Sequence, residues 1–252
     1  MNDRNQLFRR FEALHRPGEP LILFNVWDAG SAAAVAEAGA GAVATGSWSV
    51  AAAHGFSDGE ELPIDLALAN AERIVAAVEL PVTVDFEGAY ASDPDGAGAN
   101  AARLAATGAI GCNVEDRLVA GDGLYPLRDQ ADRIEAMRQG AGPSFFINAR
   151  TDLFLKAPAE EHRDHLREAI ERAHAYAEAG ANGFFAPGLG DRDLIGRLCE
   201  ASPLPINIMA MPGAPDAEAL GALGVARISH GPFPYRRMIE WLKQEAALHH
   251  RG

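Results

Sequence analysis

The sequence predicts a single α/β domain of the (β/α)8-barrel (TIM-barrel) type. Three observations carry this: a recurring helix–glycine–strand unit, eight short apolar segments alternating with helical stretches, and long polar loops confined to one side of that alternation. The unit reads AVAEAGAGAVATG at 34–46, RLAATGAIGCNVED at 103–116, AYAEAGANGFFAPG at 175–188 and EALGALGVARISHG at 218–231. Gly39, Gly108, Gly180 and Gly224 fall where a helix end calls for a left-handed residue. Each apolar run that follows is short enough to be a strand buried on both faces.

In chain order, a helical pattern at 3–14 precedes strands expected at 21–26, 42–45, 82–87, 110–115, 144–149, 183–186, 205–210 and 225–229, and a last helix is expected at 233–248. Strand and helix alternating throughout means a parallel sheet. Eight repeats in 252 residues suit a closed barrel better than a doubly wound sheet, and no G-x-G-x-x-G turn follows the first strand. Helix-to-strand turns are short, at 39–41, 79–81 and 140–143. Strand-to-helix connections are long and polar, at 46–63, 88–98, 116–128 and 151–160. In a barrel these loops all emerge at the C-terminal face, where barrel enzymes keep their chemistry. No linker interrupts the pattern, so 1–252 reads as one catalytic domain.

Composition narrows the function classes. A formal net charge of −13 argues against nucleic acid or an anionic membrane surface as partner. No run approaches the ~20 apolar residues of a membrane helix, and the first residues lack a signal-peptide core. Cys112 and Cys199, the two cysteines, cannot build a disulfide framework. The expectation is a soluble, cytoplasmic protein with reduced thiols. Cys112 lies within a strand and Cys199 on a helix; both read as small buried apolar residues.

Acidic residues collect where the strands end. VTVDFE carries Asp85 and Glu87 two apart, which on a strand points both to one face. The next strand ends in Glu115 and Asp116, and the one after runs into Asn148, Arg150, Thr151 and Asp152. Several carboxylates around one mouth repel unless a cation neutralises them, and an oxygen-only cluster suits Mg²⁺ or Mn²⁺. The planar fork of Arg150 suits a substrate carboxylate. Asp116 and Asp152 read equally well as turn formers or helix caps, and so does Asp28. The loop 46–63 is rich in small residues and reads as a mobile lid, with His54 and Asp58 near its tip. His162 and His165 read as a solvated helix face, and His249 and His250 as a fraying tail. His230, directly after the last strand, is a minor candidate for proton transfer. Alternation puts Arg227 off the loop there.

These motifs in this order, FNVWDAGSA (24–32), TGSWS (45–49), VDFEGAY (84–90), NVED (113–116) and NART (148–151), resemble the isocitrate lyase/phosphoenolpyruvate mutase superfamily over nearly the whole chain. The resemblance implies a (β/α)8 barrel forming homodimers or homotetramers, often with the last helix exchanged between subunits. It also implies Mg²⁺-assisted cleavage or formation of a C–C or P–C bond beside a 2-oxo acid. Carried over, Asp85 is the carboxylate nearest the metal, Glu87 the second acid of that motif and Glu115 the acid that orients metal-bound water. Arg150 holds the substrate, the Gly46 and Ser47 amides grip its carboxylate, and Asp58 is a gating-loop acid. Tyr90 follows the metal motif, and Trp48 stands where the mutases have glycine.

The sequence also departs from the family. RLVAGDGLYPLRDQ (117–130) holds neither the Lys-Lys-Cys-Gly-His loop of the lyases nor the Lys-Thr-Asn element of the phosphonate enzymes, and Pro187 stands where the mutases have a histidine. The leading expectation is a Mg²⁺-dependent lyase acting on a small 2-oxo or 2-hydroxy dicarboxylic acid through an enolate. Two alternatives stand beside it. One is a P–C bond enzyme resembling phosphoenolpyruvate mutase, carboxyvinyl-carboxyphosphonate phosphorylmutase or phosphonopyruvate hydrolase; the other is a barrel that binds a 2-oxo acid without turning it over.

Overall fold

A computed structural model describes residues 4–119 and 121–250; the first residue of the helix expected at 3–14 and the opening of the N-terminal segment lie outside them. Eight strands form the sheet: β1 Leu21–Leu23, β2 Val43–Ala44, β3 Val82–Asp85, β4 Gly111–Glu115, β5 Phe146–Arg150, β6 Gly183–Phe185, β7 Ile206–Met209 and β8 Arg227–Ser229. The helices are α1 Arg4–Ala13, α2 Ala29–Glu37, α3 Ser47–Ala53, α4 Ile64–Ala77, α5 Pro94–Ala106, α6 Leu127–Ala141, α7 Leu153–Lys156, α8 His162–Glu178, α9 Arg192–Ala201, α10 Ala217–Ala222 and α11 Phe233–His249. All ladder pairings are parallel, in the order β1-β8-β7-β6-β5-β4-β3-β2. A parallel bridge between Val26 and Thr45 brings the ends of β1 and β2 together, so the sheet all but closes into the expected barrel.

Local chemistry fixes the element ends. Gly39, Gly108, Gly180 and Gly224 have φ of 93°, 92°, 97° and 92°, the left-handed conformation that stops a helix. Asp28, Asp93, Asp191 and Asp216 cap α2, α5, α9 and α10 by accepting a backbone N–H. Asp28 is thus a capping residue, in a reciprocal capping box with Ser31. The main core lies between sheet and helices, with Phe184, Tyr176, Leu104, Ile134 and Met137 buried in it. A second cluster joins Phe8 and Phe11 of α1 to Leu21, Ala42, Ile110 and Phe146, so α1 packs across the N-terminal strand ends.

Inside the barrel the register places Asp85, Asn113, Asn148 and Gly183 in one row across four strands. A Cβ on Gly183 would lie 2.7 Å from Asn148 Oδ1, so only glycine leaves room for that amide. Below the mouth, Arg227 is buried (1% exposed); its Nη2 donates to Asn113 Oδ1 at 3.1 Å.

Two apolar surfaces lack cover. The outer side of β1 leaves Ile22 and Phe24 41% and 43% exposed beside a groove of about 770 Å³, and α11 exposes Trp241, Leu242 and Leu248 by 58%, 50% and 69%. Among the described residues, no helix is long and apolar enough to cross a membrane.

Candidate active site

The site is built where strands stop. β3 ends at Asp85 because the chain turns sharply: Glu87, Ala89 and Tyr90 have φ of 48°, 65° and 53°. Left-handed backbone in three side-chain-bearing residues costs about 1 kcal/mol or more each and survives only where surroundings enforce it. Asn100 Nδ2 does so, donating to the carbonyls of Ala89 and Tyr90 at 3.0 and 3.1 Å. The turn overrides the alternation that put Asp85 and Glu87 on one strand face, because Glu87 is not on the strand.

Asp85 reaches the barrel mouth. Its Oδ2 accepts from Ser47 N–H at 3.0 Å and Ser47 Oγ at 2.9 Å, and its Oδ1 takes a 3.3 Å contact from Asn113 Nδ2. The Ser47 amide expected at a substrate carboxylate therefore holds the Asp85 carboxylate. Glu87 turns away from the mouth, and its Oε2 accepts the N–H groups of Gly59 and Glu60 at 2.8 and 2.6 Å. Burial, then the charges of Asp58 and Asp85, push its carboxyl up to about 7. Tyr90 hydroxyl lies 3.4 Å from Glu87 Oε1.

Glu115 ends β4 and meets Arg150 Nη1 at 2.9 Å. Burial raises its pKa against the pull of that guanidinium. Arg150 is also held by Asp152, through Nε at 2.6 Å and Nη2 at 3.0 Å. Asp152 is thus an anchor for Arg150. Asp116 faces away, fully buried with Arg172 at 3.1 Å, Tyr176 hydroxyl at 3.0 Å and Asp152 N–H at 2.9 Å.

A cavity of about 180 Å³ opens at the C-terminal ends of the strands. Gly46, Ser47, Trp48, Asp58, Asp85 and Arg150 line it, together with Asn25, Asn113, Ser229 and an apolar wall. Six of the expected site residues thus face one space. Glu87 and Tyr90 line a smaller neighbouring space behind Asp85, and Glu115 reaches the mouth through Arg150.

The loop expected to be a lid is partly helical, since Ser47–Ala53 forms α3. His54 caps that helix, its Nδ1 2.9 Å from the Val50 carbonyl, and stays out of the cavity. Asp58 lines the cavity; desolvation and the Asp85 charge raise its pKa, while Ser47, Arg150 and Arg117 pull it down. His230 lies beside Phe24 at 5.2 Å and is not among the lining residues. His162, expected to be solvated, is buried against Phe154 with its Nε2 3.2 Å from the Ala157 carbonyl. Cys112 is buried and its thiol pushed up to about 12, so it is no nucleophile.

Sequence reasoning missed Asn113 and Asn25. Two donors fix Asn113 Oδ1, Asn148 Nδ2 at 2.9 Å and Arg227 Nη2 at 3.1 Å, which turns its Nδ2 toward Asp85. Alternation from Glu115 back to Asn113 was the available signal. Asn25 Oδ1 accepts the N–H groups of His230 and Gly231 at 2.8 Å each, a contact 205 residues away in sequence for which no local signal exists.

The oxygen-only donor set can be tested against a divalent cation. The charge of Asp85 raises the proton affinity of Asp58, and both raise that of Glu87, so acids gather here in excess of Arg150, the cation that lines the cavity. Among the described residues no three His, Cys, Asp or Glu side chains are grouped as a metal cage. Asp85, Glu87 and Glu115 do not converge, because the Gly59 and Glu60 amides capture Glu87 and Arg150 captures Glu115. One or two carboxylates completed by water and substrate is how Mg²⁺ is commonly held, and Asp85 fits that habit.

The family profile described as phosphoenolpyruvate phosphomutase matches residues 11–249. The chain belongs to the isocitrate lyase/phosphoenolpyruvate mutase superfamily. Within it, a Burkholderia cenocepacia J2315 structure provisionally named a phosphonomutase is 48% identical, with a TM-score of 0.95 over 98% of this chain and 99% of that one. The 2-methylisocitrate lyase of Bacillus subtilis (strain 168) is 30% identical over 219 residues, which are 81% of this chain and 67% of the relative. A structure of phosphonopyruvate hydrolase with oxalate and Mg²⁺ shares the fold, at 19% identity and a TM-score of 0.84 over 97% of this chain and 86% of that one. The superfamily therefore spans lyase and mutase or hydrolase chemistries on small 2-oxo acids.

Proposed function

We propose that the protein binds a 2-oxo acid at the barrel mouth with Mg²⁺ (or Mn²⁺) and makes or breaks the bond to the carbon beside the oxo group through an enolate. One observation carries the reading: Ser47, Asp58, Asp85 and Arg150 face a single 180 Å³ cavity whose acids outnumber its cations. Asp85 would hold Mg²⁺, which would supply the positive charge that stabilises an enolate. Glu87 and Glu115, whose charges are felt around Asp85, would favour the cation electrostatically. Arg150, oriented by Glu115 and Asp152, holds the substrate carboxylate, and the Gly46–Ser47 segment lines the same cavity with the Ser47 N–H and hydroxyl fixing Asp85. Asp58 and Trp48 close the cavity, and Tyr90 lies beside Glu87 in the space behind Asp85.

Both bond types stay in view. The family profile and the 48%-identical structure favour the P–C reading, while the 30%-identical lyase favours C–C cleavage. Calorimetry of oxalate with and without Mg²⁺ tests the common part. Oxalate is expected to bind only with the metal, and Asp85→Asn to weaken it about 100-fold; metal-independent binding untouched by Asp85→Asn would refute the reading. Phosphorus NMR of phosphonopyruvate, run beside an assay of pyruvate release from oxaloacetate and malate analogues, separates the two bonds. Oxalate binding without turnover of either would leave a binding barrel.

The partner for the uncovered surfaces is a second copy of this chain. We infer that α11 of each copy lays Trp241 and Leu242 on the β1 groove of the other, which would bury both apolar faces at once. Light scattering is expected to give a dimer or tetramer for the native chain and a smaller species for Trp241→Glu/Leu242→Glu; identical masses would exclude the exchange.

A further inference from the structure

The segment that carries Asp58 has the small residues of a mobile lid, yet the fold pins it at its ends and in its middle. Leu62 is 2% exposed and packs in one cluster with Val50, Ala51 and Phe56. Between Phe56 and Leu62, two glutamates clasp each other's backbone. Glu87 Oε2 accepts the N–H groups of Gly59 and Glu60 at 2.8 and 2.6 Å, and Glu60 Oε1 accepts the Tyr90 N–H at 2.7 Å. Each carboxylate belongs to one segment and takes the amides of the other, so 59–60 and 87–90 hold each other reciprocally. Bonds of this kind, from N–H to an ionised carboxylate, are stronger than those between neutral groups.

Both segments are strained where they meet. Glu60 has φ of 65°, opposite the 48°, 65° and 53° of Glu87, Ala89 and Tyr90. Left-handed backbone at residues with side chains persists only where the surroundings over-determine it, and it gathers at functional sites. The approach is also close: a Cβ on Gly88 would lie 3.0 Å from Glu60 Oε1. What the clasp fixes is Asp58, the residue before Gly59. Asp58 lines the mouth cavity, and Ser47, Arg150 and Arg117 all act on its carboxyl group. Glu60 does not line that cavity, so its effect on a ligand passes through Asp58.

We propose that Glu60 is a positioning residue for Asp58: its carboxylate, with that of Glu87, keeps the 57–61 segment fixed over the mouth, so that Asp58 meets the ligand without closure of this segment. The clasp stands on geometry alone. What Asp58 meets rests on the 2-oxo-acid reading, and the two parts are read by separate measurements.

Amide hydrogen exchange on the metal-free protein tests the clasp. The Gly59 N–H, whose acceptor Glu87 is untouched by the change, is expected to exchange about tenfold faster in Glu60→Ala than in the native chain. Glu60→Gln, which keeps the acceptor oxygen for Tyr90, is expected to restore most of that protection. Calorimetry of oxalate on the Mg²⁺-loaded protein tests the link to Asp58. An acid over the cavity repels an anion, so Asp58→Asn is expected to tighten oxalate about fivefold in the native background. Beside Glu60→Ala the same change is expected to shift it by less than about twofold, the non-additivity of residues that act through one another. Unchanged Gly59 exchange in Glu60→Ala would overturn the proposal, and so would an Asp58→Asn effect, nil included, equal in both backgrounds. Failure of the native protein to bind oxalate would remove the 2-oxo-acid reading, while the exchange comparison would still decide whether Glu60 fixes Asp58. Glu60→Asp, which keeps the charge and shortens the reach, carries the same expectations should Glu60→Ala not fold.

Discussion

Two adjacent residues, Glu115 at the end of β4 and Asp116 just after it, open onto two differently built acidic regions. On the outer side, Asp116 meets a guanidinium, a phenol and a backbone N–H within 3.1 Å, and Arg172 in turn is held by Glu168, Tyr176 and the Tyr125 carbonyl. At the mouth, Asp58 and Asp85 sit together with Glu87 just behind them, and the cation that lines the cavity, Arg150, is itself claimed by Glu115 and Asp152. A carboxylate buried for structure is saturated on the spot. One buried for chemistry is left short of positive charge, which a ligand can bring.

The largest test of this contrast is Arg172→Met. It strands Asp116 in the interior, and leaving one partner of a buried pair costs about 3–5 kcal/mol, a large part of a domain's stability. Asp85→Asn, which relieves repulsion in the mouth, is expected to change stability by less than about 1 kcal/mol. Urea unfolding of both variants checks it. The reverse ranking would mean that the mouth, and not the outer cluster, is the structural one.

Acidity offers the next test. Glu87 has its pKa raised from 4.5 to about 7, so between those values the folded protein binds the proton more tightly than the unfolded chain. By linkage, stability falls as pH rises through that window and levels off above about 7, by roughly 2–3 kcal/mol in all. In chelator-containing buffer, thermal melts from pH 4.5 to 8 should show the native protein losing stability and Glu87→Gln losing less. Equal slopes would remove Glu87 as the source.

The same contrast explains what was legible in the sequence. The barrel was legible because its signals are local: glycine after each helix, apolar runs of strand length, long loops on one side. The residues around the mouth were legible as an acidic gathering, but their pairing was not. Glu87 leaves the strand at a left-handed turn that no periodicity announces, and the amides that capture it come from Gly59 and Glu60, 28 and 27 residues away. Asp152 looked like a cap and is the second anchor of Arg150. Arg227 was put off the loop, which is where it lies, yet its contact with Asn113 spans 114 residues. Alternation tells which way a side chain points; its partner is set by the closed sheet.

The finest test uses two tyrosines, one in each region. Tyr176 hydroxyl donates to Asp116 at 3.0 Å and accepts from Arg172 at 2.9 Å, so Tyr176→Phe takes a donor from a buried carboxylate and should cost about 1.5 kcal/mol. Tyr90 hydroxyl stands 3.4 Å from Glu87 Oε1, too long for a strong bond, and Glu87 keeps its two backbone donors without it. Tyr90→Phe should therefore cost less than about 0.5 kcal/mol in urea unfolding. Equal losses would mean that the mouth is as tightly satisfied as the outer cluster, and that its shortage of positive charge has been overstated.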